Sequence, residues 1–425
     1  MGVQESYPID VEAIRADFPI LERLVGGDVE TPGQGPDDDT PLCYLDNAAT
    51  SHTPEQVVDA ISDYYRGYNA NVHRGIHQLS QEASVAYEEA HDTVAEFIGA
   101  SGREEVVFTK NTTESENLVA YAWGLNELGP DDSVVMTEME HHASLVTWQQ
   151  IAKKTGAEVR YIRVDDDGYL DMDHAAELID DSTAMVSVVH VSNTLGTVNP
   201  VAELADVAHD HDALIFVDGA QSAPTRPVDV QAMDADFFAF SGHKMCGPTG
   251  IGALYGKEAI LEEMQPYLYG GDMIRRVTYE DSTWEDLPWK FEAGTPSIAQ
   301  GIAFAAAVDY LEAVGMANVQ AHEELLAEYA YDRLTEFEGV EIYGPPGDDR
   351  GGLVAFNLDG VHAHDLSSIV NEYGVAIRAG DHCTQPLHDK LGAAASARAS
   401  FYIYNTREEV DQLIDALAEA RDLFA

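Results

Sequence analysis

The sequence predicts an α/β protein built on a mostly parallel sheet covered by helices on both faces. Seven short apolar runs carry the prediction: EEVVFT, SVVMTEM, EVRYIRV, AMVSVVHVS, ALIFVDGA, DFFAFSG and IGALYG. Helical spacing fills the intervals, as where Ala90, Val94, Phe97 and Ile98 fall at i, i+4, i+7 and i+8. Strands that alternate with helices pair mostly in parallel and are covered on both sides. The 425 residues, 45% of them apolar, are enough for a large core in two or three domains.

The charge balance is far from ordinary. Lysine and arginine total 23 against 76 aspartates and glutamates, a formal net charge of -53. The acids recur on helix-like segments such as REEVDQLIDALAEARD instead of forming one tail. Such a coat reads as adaptation to high salt, where self-repulsion is screened. It argues against nucleic acid or an anionic membrane as partner, because both are polyanions. Cys43, Cys246 and Cys383 are odd in number and far apart, so no disulfide framework is expected. No apolar run approaches the ~18 residues of a membrane-spanning helix. The start, MGVQESYPIDVEAIRADFP, lacks the basic and apolar regions of a signal peptide, and NTT at Asn111 is then a chance match to a glycosylation pattern. A cytoplasmic location is expected. VGGDVETPGQGPDDDTP (Val25–Pro41) reads as an exposed loop after a short N-terminal helix. PPGDDRGG (Pro345–Gly352) reads as a turn cluster within the C-terminal part.

Ligands of such sheets bind beyond the strand C-termini, so the residues after each run are the candidates. EEVVFT leads into KNTTESENLVAYAWG, a polar turn and then a helix. Asn111 with Glu114, or Thr113 with Glu116, fits a capping box. Backbone N–H groups and the hydroxyls of Thr112 and Thr113 make this helix start a candidate anion site; a plain N-cap is the alternative. SVVMTEM leads to EHHAS, which sets His141 and His142 after a strand in a structural or an active role. AMVSVVHVS leads to Asn193, a ligand donor or a residue that closes a turn. ALIFV leads to Asp218, whose carboxylate at the end of an apolar strand needs a cationic or donor partner. A protonated heterocyclic nitrogen suits it. DFFAFSGHK leads to Lys244, preceded by Ser241 and His243 and followed by GPTG. An anion cup, an aromatic His, a buried Asp and a strand-end Lys together fit pyridoxal phosphate. That cofactor needs a phosphate cradle, a ring-stacking group, a carboxylate on its pyridinium nitrogen and a Schiff-base amine.

YLDNAAT, VHRGIH, EHHAS, HVSNTLGT, VDGAQ, SGHKMCGPTGIGALYG, KFEAGTP and RAGDHCTQPL, in this order, resemble the signatures of the class V aminotransferase-like cysteine desulfurases of the Suf type (group II). The resemblance runs from about Asp10 to the C-terminus. It implies a fold-type I pyridoxal-phosphate enzyme: a large domain with a mostly parallel seven-stranded sheet and a smaller C-terminal α+β domain. The chain then divides into an N-terminal helix and acidic loop packing on the small domain (1–41), a large cofactor-binding domain (42–310) and a small domain carrying the nucleophilic cysteine (311–425). By resemblance, Lys244 matches the Schiff-base lysine and His141 the histidine that stacks on the ring and serves in proton transfer. Asp218 matches the pyridinium partner, and Gln221 the donor to the ring hydroxyl. Thr112, Thr113, Ser241 and His243 match phosphate ligands, and Thr295 a phosphate ligand delivered by a second subunit, which implies a homodimer. Asn193 and Arg398 match groups that hold the substrate carboxylate, a role suited to a guanidinium. His73 and Arg74 fall in the matched substrate site. Cys383 matches the nucleophile that receives sulfur as a persulfide, whereas Cys246 matches no role and is expected to be structural. The implied substrate is L-cysteine or L-selenocysteine, and the implied partner a sulfur acceptor or scaffold protein of the Suf system in iron–sulfur cluster assembly. No metal is implied.

Three departures from the pattern bear on the site. Asp381-His382 stands where the family has His-His, and a carboxylate two residues from a thiol is expected to blunt it. NTT replaces Gly-Thr-Thr in the phosphate turn, and the Val25–Pro41 loop is longer than usual. Rival readings are a selenocysteine lyase or another lyase on the same scaffold, which would need Cys383 less, and an aminotransferase, in which a loop cysteine has no purpose. A non-catalytic metal or sulfur carrier would use His73 and His77 at i, i+4, or His382, Cys383 and His388, but leaves Lys244 and Asp218 unexplained. The charge yields a direct test. The Debye length shrinks from ~10 Å at 0.1 M salt to ~3 Å at 1 M, so the thermal melting temperature is expected to rise from dilute buffer to molar KCl. A melt unchanged between the two would contradict the high-salt reading.

Overall fold

The seven apolar runs form one seven-stranded sheet: β1 (Val106–Thr109), β2 (Ser133–Thr137), β3 (Glu158–Ile162), β4 (Thr183–Val189), β5 (Leu214–Asp218), β6 (Phe237–Ser241) and β7 (Gly252–Gly256). This is a computed structural model, and it describes residues 7–25 and 40–424. The acidic stretch of the Val25–Pro41 loop at 26–39 lies outside the described residues. The strand order is β1-β7-β6-β5-β4-β2-β3. Strands β2 to β6 pair in parallel, and β7 runs antiparallel between β6 and β1. The reversal of β7 follows from chain length: Gly242–Ile251 is too short for the helical crossover that a parallel return requires, about a dozen residues or more. Six strands therefore end along one edge, where the motif residues emerge.

Two glycines let the chain close up at that edge. A Cβ on Gly219, directly after Asp218, would lie 2.0 Å from Cζ of Phe238, so only glycine lets β5 exit against β6. A Cβ on Gly252 would lie 2.5 Å from the carbonyl oxygen of Phe240 and 2.9 Å from Cα of Asn111, so β7 can pass beneath the turn that opens the phosphate-side helix.

The C-terminal domain is an antiparallel sheet of β8 (Val340–Tyr343), β9 (Leu353–Leu358), β10 (Arg378–Gly380) and β11 (Ser396–Ser400), in the order β8-β9-β11-β10. Helices Met316–Thr335, Ala363–Glu372 and Arg407–Phe424 bury Leu326, Leu366 and Leu413 against Val354 and Phe356. The N-terminal helix Val11–Ala16 sits at the seam between the domains. Its Arg15 donates to the carbonyl of Tyr404 at 2.6 Å and pairs with Glu409 at 2.9 Å, while Phe18 packs edge-on against Tyr310 and Tyr404. One boundary differs from the sequence reading. Cys43–Tyr44 pairs in parallel with Val375–Ala376, and Cys43 and Leu45 are buried in the small-domain core. The chain therefore enters the large domain after Asp46 rather than at 42, because the apolar side chains of this segment are covered by the C-terminal helices.

Candidate active site

A cavity of about 280 Å³ opens at the strand-end edge, between the two domains. Thr112, Thr113, His141, Asn193, Asp218, Gln221, Ser241, His243, Lys244, Cys383 and Arg398 all line it, so eleven of the residues expected from sequence converge.

On the phosphate side, Asn111 caps helix Thr112–Val119, its Oδ1 accepting from the amide of Glu114 at 3.0 Å. The Glu114 carboxylate returns to the amide of Lys110 at 2.6 Å, one residue short of a regular capping box. Ser241 at the end of β6 accepts from the amide of Thr112 at 2.9 Å and shares a hydroxyl contact with Thr112 at 2.8 Å. An N-terminal helix turn, hydroxyls and a histidine thus face one volume. Burial and the charge of Lys244 hold His243 neutral by lowering its imidazolium to about 4.

Asp218 lies buried at the end of β5, where Oδ1 accepts from the amide of Ala220 at 2.8 Å. Burial raises its carboxyl, opposed by that amide and by Lys244. Two carboxyls that the sequence reading missed lie within its field. Glu116 accepts from Nε1 of Trp148 at 2.6 Å and from the hydroxyls of Ser144 and Ser187 at 3.2 Å. Glu140 accepts from Thr137 at 2.6 Å and from the amide of Val189 at 3.0 Å. Burial lifts Glu116 well above the carboxylate range and Glu140 to about 8, and Asp218 adds to both. Thr113 and Glu116 therefore form no capping box; Glu116 points into the core. Glu116 and Glu140 are both pushed toward their neutral forms, and of the three carboxyls only Asp218 lines the cavity.

Lys244 makes no hydrogen bond or ion pair among the described residues, and burial brings its ammonium down to about 8, with Arg398 and Arg378 adding and Asp218 and Cys383 opposing. His141 caps helix His142–Thr155, its Nδ1 accepting from the amide of Ala143 at 3.0 Å. Burial, then Lys244, lowers its imidazolium to about 4, so the ring is neutral with its proton on Nε2.

The carboxylate side is built across the domain seam. Arg398 on β11 donates through Nη1 to the carbonyl of Asn193 at 2.8 Å and through Nη2 to Asp46 at 3.3 Å, while its buried Nε has no partner. Asn193 donates to the carbonyl of His382 at 2.7 Å, and its buried Oδ1 has no partner. Asp46, also missed in sequence, bridges Arg398 to Arg378, which it meets at 3.0 Å. One carboxylate against two guanidiniums leaves net positive charge, and the orphaned Nε suits an incoming carboxylate. The buried, unpaired Asp218, the free amine and this cationic corner fit pyridoxal phosphate and an amino-acid substrate together.

The three cysteines separate cleanly. Cys383 is exposed and lines the cavity. Cys246 is fully buried behind it; desolvation drives its thiol up to about 12, with a hydrogen bond to Tyr402 opposing. Cys43 is buried and its Sγ lies 3.5 Å from the carbonyl of Glu409. Asp381 turns its carboxylate onto the amide of Cys383 at 3.0 Å, where it closes the turn.

Three predicted site residues lie elsewhere in the chain. His73 packs against Trp289 with ring centroids 4.5 Å apart, and Arg74 pairs with Asp272 at 3.4 Å. In the single chain neither residue lines the cavity. Thr295 lines a separate cleft with Lys110 and Glu114. The i, i+4 pairing of His73 with His77 also fails, because His77 sits in the N-cap, accepting from the amide of Ser80 at 3.3 Å. His382 and His388 both bond the hydroxyl of Ser396 at 3.0 Å. Among the described residues no cluster of three or more His, Cys, Asp or Glu is arranged for a metal ion.

A family model, aminotransferase class-V, matches residues 43–413. The chain belongs to the class-V aminotransferase family. Among members of that family, the cysteine desulfurase of Haloferax volcanii is 85% identical over 426 residues, covering 100% of both chains. A probable cysteine desulfurase of Halobacterium salinarum is 72% identical over 425 residues, again 100% of both. Among solved structures, the cysteine desulfurase of Thermococcus onnurineus superposes with a TM-score of 0.89 at 40% identity, covering 99% of each chain. The desulfurase CsdA of Escherichia coli, in an S-sulfonic acid form, gives 0.88 at 37% identity, covering 98% of this chain and 99% of its own. The class-V fold thus extends over the whole described chain, small domain included.

The lowered Lys244 sets a pH dependence. Only the neutral amine attacks an aldehyde, so uptake of pyridoxal phosphate by the cofactor-free protein should accelerate about tenfold per pH unit and level off above pH about 8. Absorbance changes on mixing in molar KCl measure this. A rate that is flat between roughly pH 6 and 9, or covalent capture that persists in Lys244→Ala, would contradict the assignment.

Proposed function

We propose that the chain is a pyridoxal-phosphate-dependent cysteine desulfurase that converts L-cysteine to L-alanine and keeps the sulfur as a persulfide on Cys383. The observation that carries this reading is the meeting, in one cavity, of the exposed Cys383 thiol, the Lys244 amine and the Arg398 guanidinium. When bound, the cofactor supplies an electron sink for the bonds broken on the substrate's carbon skeleton. Asp218 would hold its protonated ring nitrogen, and Thr112, Thr113, Ser241 and His243 its phosphate, with Gln221 at its ring hydroxyl.

The chain's own groups supply the rest. Arg398 binds the substrate carboxylate through Nε, which lacks a protein partner, and Asn193 through the Nδ2 hydrogen not given to His382. Nζ of Lys244 moves the proton at the substrate's Cα. The Cys383 thiolate attacks the substrate sulfur; the carbon–sulfur bond breaks, and its electron pair stays with the three-carbon fragment, which takes up a proton at Cβ. Enzyme thiol plus cysteine gives enzyme persulfide plus alanine, with no external oxidant or reductant. His141 has Nδ1 committed to the amide of Ala143, so Nε2 is the atom through which it serves proton transfer.

The reading includes transfer of the sulfur to an acceptor of the Suf system for iron–sulfur cluster assembly. It includes a homodimer in which Thr295 completes the phosphate site of the neighbouring subunit; the position of Thr295 outside its own chain's cavity supports this. The net charge of -53 and the similarity to the Haloferax and Halobacterium proteins support work in the cytoplasm of a high-salt cell. Cys383→Ser is expected to abolish alanine and sulfide production from cysteine while the cofactor's absorption is retained. Cys246→Ser should keep most activity, with a stability loss of ~1–2 kcal/mol from its buried site. Full alanine production by Cys383→Ser would overturn the reading in favour of a lyase that does not use the thiol.

A further inference from the structure

We propose that His142 is a positioning residue that locks the Cys383 turn over the cavity. The proposal rests on the desulfurase reading for what the turn does, but not for whether the lock exists. The turn that carries Cys383 is bonded to the large domain at several points. Its backbone is itself unfavourable: His382 and Cys383 both adopt left-handed conformations, with φ of 48° and 60°, although neither is glycine. Two such residues in succession persist only where their surroundings hold them.

The ties come from the large domain and fall into two groups. The first surrounds His382: Asn193 donates to its carbonyl at 2.7 Å, and the hydroxyls of Thr194 and Thr384 meet at 2.8 Å. The second comes from His142 alone. Its amide donates to the carbonyl of Cys383 at 2.8 Å, and its Nε2 accepts from the amide of Gln385 at 3.0 Å. One residue therefore grips the chain at the nucleophile itself and again two residues beyond it. With Nε2 accepting, the neutral ring carries its proton on Nδ1.

His142 can do this because of where it sits. It is the first residue of helix His142–Thr155, next to His141 at the N-cap. The two rings are 6.4 Å apart and inclined at 46°, so one helix start presents one imidazole to the cavity and the next to the thiol turn. The helix thus sets the distance between the proton-transfer ring and the sulfur nucleophile. A loop held this way has a thiol placed before substrate arrives, which is worth rate rather than binding.

Only the side-chain grip can be removed by substitution. His142→Ala deletes the acceptor for Gln385, whereas His142→Gln places an amide oxygen close to the position of Nε2. The probe is iodoacetamide on the holoenzyme in molar KCl, with the adduct mapped by mass spectrometry; Cys43 and Cys246 are buried and Cys383→Ser gives the background. In His142→Ala the Cys383 alkylation rate should rise about fivefold, the scale of one net hydrogen bond. In the same variant kcat for alanine formation should fall by a similar factor with KM unchanged, and His142→Gln should restore both. Unchanged alkylation and kcat in His142→Ala, or a His142→Gln as impaired as the alanine variant, would overturn the proposal. So would a loss expressed in KM with alkylation unaltered. The alkylation arm reads the lock even if Cys383→Ser shows that the desulfurase reading is wrong.

Discussion

The site depends on one electrostatic constraint, the burial of the Asp218 carboxylate at the end of β5 without a protein cation bonded to it. Such a charge is costly in a low-dielectric interior unless a partner offsets it. The surrounding chemistry is arranged around that cost. Glu116 and Glu140 are pushed toward their neutral forms by burial and by Asp218, so the negative charge is not multiplied. Lys244 acts on Asp218 through space but makes no bond to it, and stays available as an amine. A cationic ring nitrogen resting on Asp218 would satisfy the carboxylate and keep that ring electron-poor in one contact.

A second constraint is that the two nucleophiles come from different domains. Lys244 follows β6 of the large sheet, while Cys383 lies between β10 and β11 of the small one. Their meeting requires a fixed seam, and the seam is polar where it borders the cavity. Asp46 ties Arg378 to Arg398, Arg398 reaches the carbonyl of Asn193, and Asn193 reaches the carbonyl of His382. Lys390 pairs with Glu138 and the carbonyl of Val164 farther along the same seam. The groups that would hold a substrate carboxylate are thus also those that hold the domains in register, so substrate binding and thiol placement are set by one network.

Much of this was legible in the sequence for a physical reason. A parallel sheet exposes its ligand-binding residues directly after apolar runs, so Thr112, His141, Asn193, Asp218, Ser241 and Lys244 could be found by reading past each run. Cys383 and Arg398 follow no such rule and came from resemblance alone. The omissions share a cause. Glu116 and Glu140 look like helix-cap and turn acids until the fold buries them; Asp46 is one acid among 76. The role of His142 depends on a contact 243 residues away. His73 and Arg74 do not line this cavity, because a local motif does not tell where the turn before helix Gln78–Phe97 is packed. The start of the large domain was set five residues early because Cys43–Tyr44 pairs with a strand far along the chain, which no local pattern announces.

The claim that joins all of this is that one bound cysteine is acted on by Lys244 from one side and Cys383 from the other. A single turnover with sulfur-labelled L-cysteine, quenched by an alkylating agent and mapped by mass spectrometry, tests it most directly. The account predicts one alanine per labelled persulfide, with the label on the peptide carrying Cys383 and none on Cys43 or Cys246. Label on Cys246, or alanine formed with no protein persulfide, would contradict it.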